Sequence, residues 1–299
     1  MEDYKTLNKK TSPSYLERSN NIKIIHTQEL YMMNRLIYFA LLILLPTQDV
    51  FSQNSSGSDK PTNQKGSFYF TWGYNKDWFS KSDLHFKNSG NNPYDFTLHQ
   101  VRAEDRPNFD ELFNKDISIP QFIYRFGYYF KNSKFGIEGS FDHAKYIMIQ
   151  DQVVHITGSI HDVYLDKDTT LSRNFIQFEH TNGANFIMLS LLWRDQLLVS
   201  QNGKHILQGV IKPGAGIVVP QSDVSIMGVR QNNNYHVAGY IFGTEANLRY
   251  EPGKHFFIET GFKGVWANYI DVLAVDEAKA NHSFFAVEWI IGIGYRIAI

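Results

Sequence analysis

The residues best placed to do chemistry are Glu179-His180-Thr181-Asn182-Gly183, followed by the hydroxyl of Ser190. A histidine beside a carboxylate can act as general base on a hydroxyl, provided the groups reach hydrogen-bond contact. Neighbouring residues in a strand point to opposite faces, so Thr181 does not share a face with His180. That leaves Ser190, an inward hydroxyl expected on the next strand, with His180 as base and Glu179 as the acidic partner. The plainer alternative is a histidine at the rim of a strand, ended by an Asn-Gly bend. Two glycine pairs invite a nucleotide-binding reading and fail it. Gly214-Ala215-Gly216 meets Val219 where a third glycine is needed, and Gly292-Ile293-Gly294 meets Ile297. Both are better read as places where a strand bends and makes room for neighbouring side chains. HExxH, P-loop and GxSxG patterns are missing, and no spacing suggests a metal site. With no cysteine in the chain, thiol catalysis, disulfides and Cys-ligated metals are excluded. No cofactor and no metal is expected. His155, His161 and His236 fall in loops and receive no role.

The elements that would carry these groups follow from patterning. The 299 residues hold 29 basic and 30 acidic side chains, a balance that excludes the basic excess of a nucleic-acid binder. Phe, Tyr and Trp number 23, 17 and 5. A mean hydropathy of −0.32 excludes a bundle of transmembrane helices but not a barrel, whose strands are only half apolar. The one long apolar run, Leu36 to Leu45, follows Arg35 and ends at Pro46. It is shorter than the roughly 20 residues a spanning helix needs. It fits the core of a signal peptide cleaved after Ser52, with a true start at Met33 and residues 1–32 a non-native extension. A short buried helix is the alternative. Residues 53–65 read as a flexible lead-in, and 66–299 as one domain.

That domain alternates strand by strand. Counting back from Ile299 in twos gives Ile297, Tyr295, Ile293, Ile291, Trp289, Val287 and Phe285, while the positions between are small or charged. Such a strand has one greasy and one polar face. The same rhythm marks Phe68–Tyr74, Phe122–Phe130, Phe135–Phe141, Ile187–Trp193, about 205–219, Tyr240–Tyr250 and Phe256–Trp266. Short turns at Asn132–Lys134, Ser200–Lys204 and Glu251–Lys254 alternate with long connections at about 76–118, 150–183, 220–235 and 270–282. This asymmetry is that of bacterial outer-membrane barrels, with turns in the periplasm and loops outside. The expected fold is all-β, an antiparallel transmembrane β-barrel of eight strands with long extracellular loops. Segment 152–181 is expected to extend the wall outward, as a hairpin. Counting Phe175–Thr181 as a further spanning strand leaves an odd total; ten strands is the alternative count, and a soluble two-sheet sandwich is the fold-level alternative.

In an eight-stranded barrel the lumen is just wide enough to be filled by side chains. Arg125, Glu138, Asp142, Arg194, Lys212, Glu245, Arg249, Glu259, Lys263, Glu288 and Arg296 are expected to face inward and neutralise one another, since unpaired buried charge is too costly. A narrow polar conduit is the functional alternative. The first long loop holds strand-like pieces at Asp83–Lys87 and Tyr94–Val101. The aromatics Trp78, Phe79, Tyr94, Phe96, Phe109 and Phe113 there either pack over the barrel mouth or meet a surface ligand.

The leader ending in Phe51-Ser52-Gln53 and the closing GIGYRIAI resemble outer-membrane β-barrel proteins of Gram-negative bacteria, particularly of the Bacteroidetes type. PGAGIVVP (213–220) and FEHTNG (178–183) resemble segments of uncharacterised barrels in that group. One departure is the terminal Ile299, where such barrels commonly end in Phe or Trp. The resemblance implies residence in the outer membrane, contact with its lipid and lipopolysaccharide, and delivery to the barrel-assembly machinery through the last strand. FEHTNG is also loosely similar to the His-x-Ser-Asn segment of small lipid A-modifying barrels, but Asn182 stands where their serine would be. The expected role is therefore structural or surface-binding and non-enzymatic, with no nucleic-acid partner. The alternatives are a lipid A or phospholipid acyl-modifying enzyme and a narrow channel for small solutes.

Overall fold

A computed structural model describes residues 51–52, 65–90, 92–106, 121–180 and 182–299. The expected signal segment, the lead-in to residue 64, Phe109, Phe113 and Thr181 lie outside these residues, apart from the two-residue strand β1 (Phe51–Ser52). Eight long or outward-greasy strands form the barrel. They are β2 (Ser67–Phe79), β6 (Ile123–Tyr129), β7 (Phe135–Asp142), β12 (Phe186–Ser200), β13 (Ile206–Val218), β16 (Gly239–Glu251), β17 (Phe256–Leu273) and β18 (Lys279–Ala298). Each pairs antiparallel with the next in that order, and β18 returns to β2 with Ala298 opposite Ser67 and Ala286 opposite Phe79. The ring is closed at eight, the count expected from the alternating segments.

Why these segments become barrel strands is plain on β18. From Ile297 up to Phe285 every outward residue is apolar or aromatic, and Phe285, Ile293 and Ile297 are more than half exposed. That stretch covers roughly 40 Å along the strand, or about 30 Å along the barrel axis at a ~40° tilt. Beyond it the outward residues change to Ser283, Asn281 and Lys279, although the strand continues. The same outer belt carries Phe126, Phe135, Leu189, Leu191 and Phe262, all well exposed.

Above the belt the protein becomes a two-layer head. Strands β3 (Ser82–Asn88), β4 (Tyr94–Val101), β9 (Val153–Ile160) and β10 (Val163–Thr170) prolong the wall, with β3 hydrogen-bonded to β18 at Lys279–Asn281. A second sheet runs β15 (Val229–Asn232), β14 (Asp223–Ile226), β11 (Ile176–His180), β8 (Tyr146–Met148) and β5 (Ala103–Glu104). Their shared core includes Phe86, Phe96, Tyr146, Phe178 and Phe284. Phe86 meets Phe178 edge-on across the two layers, with ring centroids 5.5 Å apart.

Three expectations need adjusting. The connection expected at 270–282 is mostly strand, because β17 and β18 run on above the belt and are joined through a short 3-10 turn at Val275–Glu277. Segment 152–181 extends the wall only as far as β10. Its last part, β11, crosses to the second sheet, where Ile176, Phe178 and His180 are buried. Tyr94 and Phe96, expected in a loop, belong to the head core.

Candidate functional site

The lumen is built from the inward positions of the eight strands, two residues apart on each. Ten of the eleven charges expected there are buried, and Arg296 lies half-buried at the turn end. Eight of them form a chain of alternating sign. Arg249 Nε donates to Glu259 Oε2 at 2.5 Å, and Lys212 Nζ donates to Glu259 Oε1 at 2.6 Å. Lys212 also lies 3.0 Å from Glu245 Oε1, and Arg125 Nη2 donates to Glu245 Oε2 at 3.2 Å. Arg125 and Lys263 both grip Asp142, and Lys263 reaches Glu288 Oε1 at 3.3 Å. Glu138 closes the centre, accepting from Lys212 at 3.1 Å and from the Tyr69 hydroxyl. Removing such charges from water is expensive, and only this dense pairing makes it bearable.

The network does not extend to every charge expected in it. Arg194 and Arg296 sit at the turn end, where Arg194 lies over the Tyr129 ring at 3.8 Å and Arg296 Nη1 donates to Glu251 Oε1 at 2.9 Å. Aromatic faces also hold Arg249, 4.1 Å above Phe257 and 4.4 Å above Tyr69. Glycine makes this possible at two points: a Cβ at Gly127 would collide with the Tyr69 ring, and one at Gly294 with Phe257. Tyr69, Asp77 and Glu251 were missed in the sequence. Tyr69 hides among the outward aromatics of β2. Asp77 stands at the head end of the same strand, where Gln121 Nε2 donates to it at 2.9 Å.

His180 is elsewhere. It lies in the head core with no exposed surface, and its Nδ1 is 2.9 Å from Ser222 Oγ. Its Nε2 is 3.3 Å from His282 Nε2. Tyr146, hydrogen-bonded to Ser82 at 2.7 Å, packs against both histidines, and His180 stacks on Tyr269. Burial pushes the His180 imidazole down to about 3, so it is neutral at any ordinary pH. Glu179 and Ser190 do not join it. Glu179 is the adjacent strand residue and faces the other way. Ser190 sits on β12, in register with Glu138 and Gly214 inside the barrel, whereas His180 pairs with Tyr146 in the second sheet. The hydroxyl beside His180 is Ser222, 42 positions along the chain. The cluster is a polar knot in an apolar core, closed to a lipid substrate.

No protein-family model matches the sequence, and no curated protein matches it. Solved structures similar to it include Ail, the attachment invasion locus protein of Yersinia pestis, at 14% identity over 78% of this chain and 99% of that one, with a TM-score of 0.29. The outer membrane protein OprG of Pseudomonas aeruginosa is 12% identical over 81% of this chain and all of its own, with a TM-score of 0.33. Neisserial surface protein A is 8% identical over 78% of this chain and 97% of its own, with a TM-score of 0.32. The ring of eight rests on its own ladder pairings and not on these likenesses.

Proposed function

We propose that this chain is an outer-membrane barrel that conducts nothing and whose working part is the head held outside the bilayer. One observation carries the reading: the central lumen charges are paired in a continuous network, with Arg125, Glu138, Arg249 and Glu288 each at most 1% exposed. A wet conduit leaves its charges in contact with solvent; a plug does not. The apolar belt of about 30 Å supports membrane insertion, and the alternation of tight turns with a folded head supports a periplasmic turn end and an extracellular head. Export through a cleaved leader ending at Ser52, and assembly through the last strand, belong to the same reading. The role is structural or surface-binding.

The test is planar-bilayer recording of the refolded protein, with heat-modifiable gel mobility as the check on folding. The expected record is silent. Sustained openings from properly folded protein would replace the plug with a channel. The acyl-modifying alternative is tested by mass spectra of lipid A and phospholipids from cells with and without the protein, which are expected to be identical. An altered acyl pattern that His180→Ala abolishes would restore the enzyme reading.

A further inference from the structure

The outer face of the wall extension carries histidines that no lumen or core function absorbs. His99 on β4 and His155 on β9 are directly opposite one another in the ladder. Asp168 on β10 is opposite His155 on its other side, and the next pair along these two strands is Thr157 with Asp166. All of these side chains project from the solvent face, because Leu98, Val154 and Ile156 take the alternate positions and are buried. The two imidazoles are oriented alike. His99 Nδ1 is 3.2 Å from Asp83 Oδ2, and His155 Nδ1 is 3.0 Å from Asp168 Oδ1. The Nε2 atoms both turn towards the same rung, His99 to Thr157 Oγ1 at 2.8 Å and His155 to Asp166 Oδ1 at 2.9 Å.

Ligating histidines characteristically anchor their second nitrogen on a carboxylate, which fixes the ring and makes the free nitrogen a better donor. Both rings have that anchor here. Two imidazoles on one tetrahedral ion, with metal–nitrogen bonds of about 2.05 Å, place their ring centroids about 5–6 Å apart. The centroids of His99 and His155 are 6.0 Å apart. We propose that His99 Nε2, His155 Nε2 and the Asp166 carboxylate form a site for a divalent transition-metal ion of the zinc or copper(II) kind on the outer face of the head. Two nitrogens and one carboxylate suit those ions and not magnesium or calcium, which prefer all-oxygen sets.

Among the described residues no three such ligands already surround one point. Hydrogen bonds close the ring nitrogens instead, so the ion enters by exchange. The Nε2 contacts to Thr157 and Asp166 give way, any proton carried by a ligating nitrogen leaves to solvent, and the ring lone pairs and the carboxylate bind the ion. The partly exposed side chains can make that adjustment by small torsional changes. The fourth position remains open to water or to a donor atom of a surface ligand. The site lies on the outer face of the head, apart from the lumen, and does not depend on whether the lumen conducts.

The experiment is calorimetric titration of zinc chloride into the untagged full chain, refolded in detergent at pH 7.5. One saturable site is expected. His99→Ala and His155→Ala should each weaken it at least tenfold, and Asp168→Asn about tenfold through loss of the ring anchor. His205→Ala, at a turn on the opposite end, should leave it unchanged. A shift in gel mobility on heating equal to that of the wild type shows that each variant is folded. No saturable binding by the wild type, or binding unchanged in the folded His99→Ala/His155→Ala double variant, overturns the proposal.

Discussion

The barrel and the head solve opposite problems with the same strand. On β18 the inward residues run from Arg296 through Glu288 to Phe284 and Ala280, while the outward ones run from Ile297 through Phe285 to Asn281 and Lys279. Within the belt the protein is polar inside and apolar outside; in the head the order is reversed. The ladder with β17 runs unbroken through the exchange, which takes place between Phe285 and Ser283. Strand geometry is therefore indifferent to the solvent around it, and the pattern of side chains alone sets where lipid stops. Each interior has its own weakness. The barrel depends on charge balance, and the head on apolar packing around a few neutral polar groups.

Removing one central cation should have the largest effect. Lys212→Met strands Glu138, Glu245 and Glu259 together in the lumen, a loss of about 3–5 kcal/mol. Urea unfolding in lipid vesicles should show it, and an unchanged midpoint would mean that the lumen is wetter than its burial implies. The boundary is tested by Ile293→Lys against Ser283→Lys, both outward on β18. The first should cost about 2–4 kcal/mol within the belt and the second about 0–1 kcal/mol. Equal costs would move the edge of the lipid.

The third test separates the two interiors by pH. The unfolded chain protonates histidine near ~6.5, whereas buried His180 resists down to about 3. Stability from this neutral ring is complete above the unfolded value and drains away as pH falls from there towards 3, because only the unfolded state takes up the proton. At pH 5 the loss is on the order of 2 kcal/mol. Amide exchange should quicken in β8, β11 and β14 at acid pH before it does in the barrel, and His180→Phe should blunt that difference. The smallest effect belongs to the outer face. Asp168 and Asp166 hold the His155 imidazole above its ordinary value, while Asp83 and His99 flank it on the next strands. Zinc affinity should therefore begin to fall already above pH 6.5, as protons compete for the ring.

The barrel was legible because a two-residue period survives in every spanning strand, whatever lies at its ends. Inward charges could be read from the same period, since an acidic or basic residue between outward aromatics has nowhere else to point. What could not be read depends on long-range pairing. The second sheet is made of strands of two to five residues, too short to show a period. The upper parts of β17 and β18 lack a strand signature because the outward residues of β18 turn polar above the belt and a bulge between Tyr269 and Val272 breaks the period of β17. His180 was noticed for its neighbours in sequence, yet its partners are Ser222 and His282 from distant segments. His99 and His155 stand 56 positions apart, and only the β4–β9 register makes them neighbours.

The attachment of β3 to the upper end of β18 also sets an order of events in time. The four strands of the wall extension are synthesised early, but their sheet is hydrogen-bonded to the barrel through β18, which follows every other barrel strand in the sequence. Until β18 docks on β2, β3 lacks its hydrogen-bonded neighbour on the barrel side. Closure of the barrel and completion of the head are thus one cooperative step, and a chain shortened at its C-terminus should lose both together.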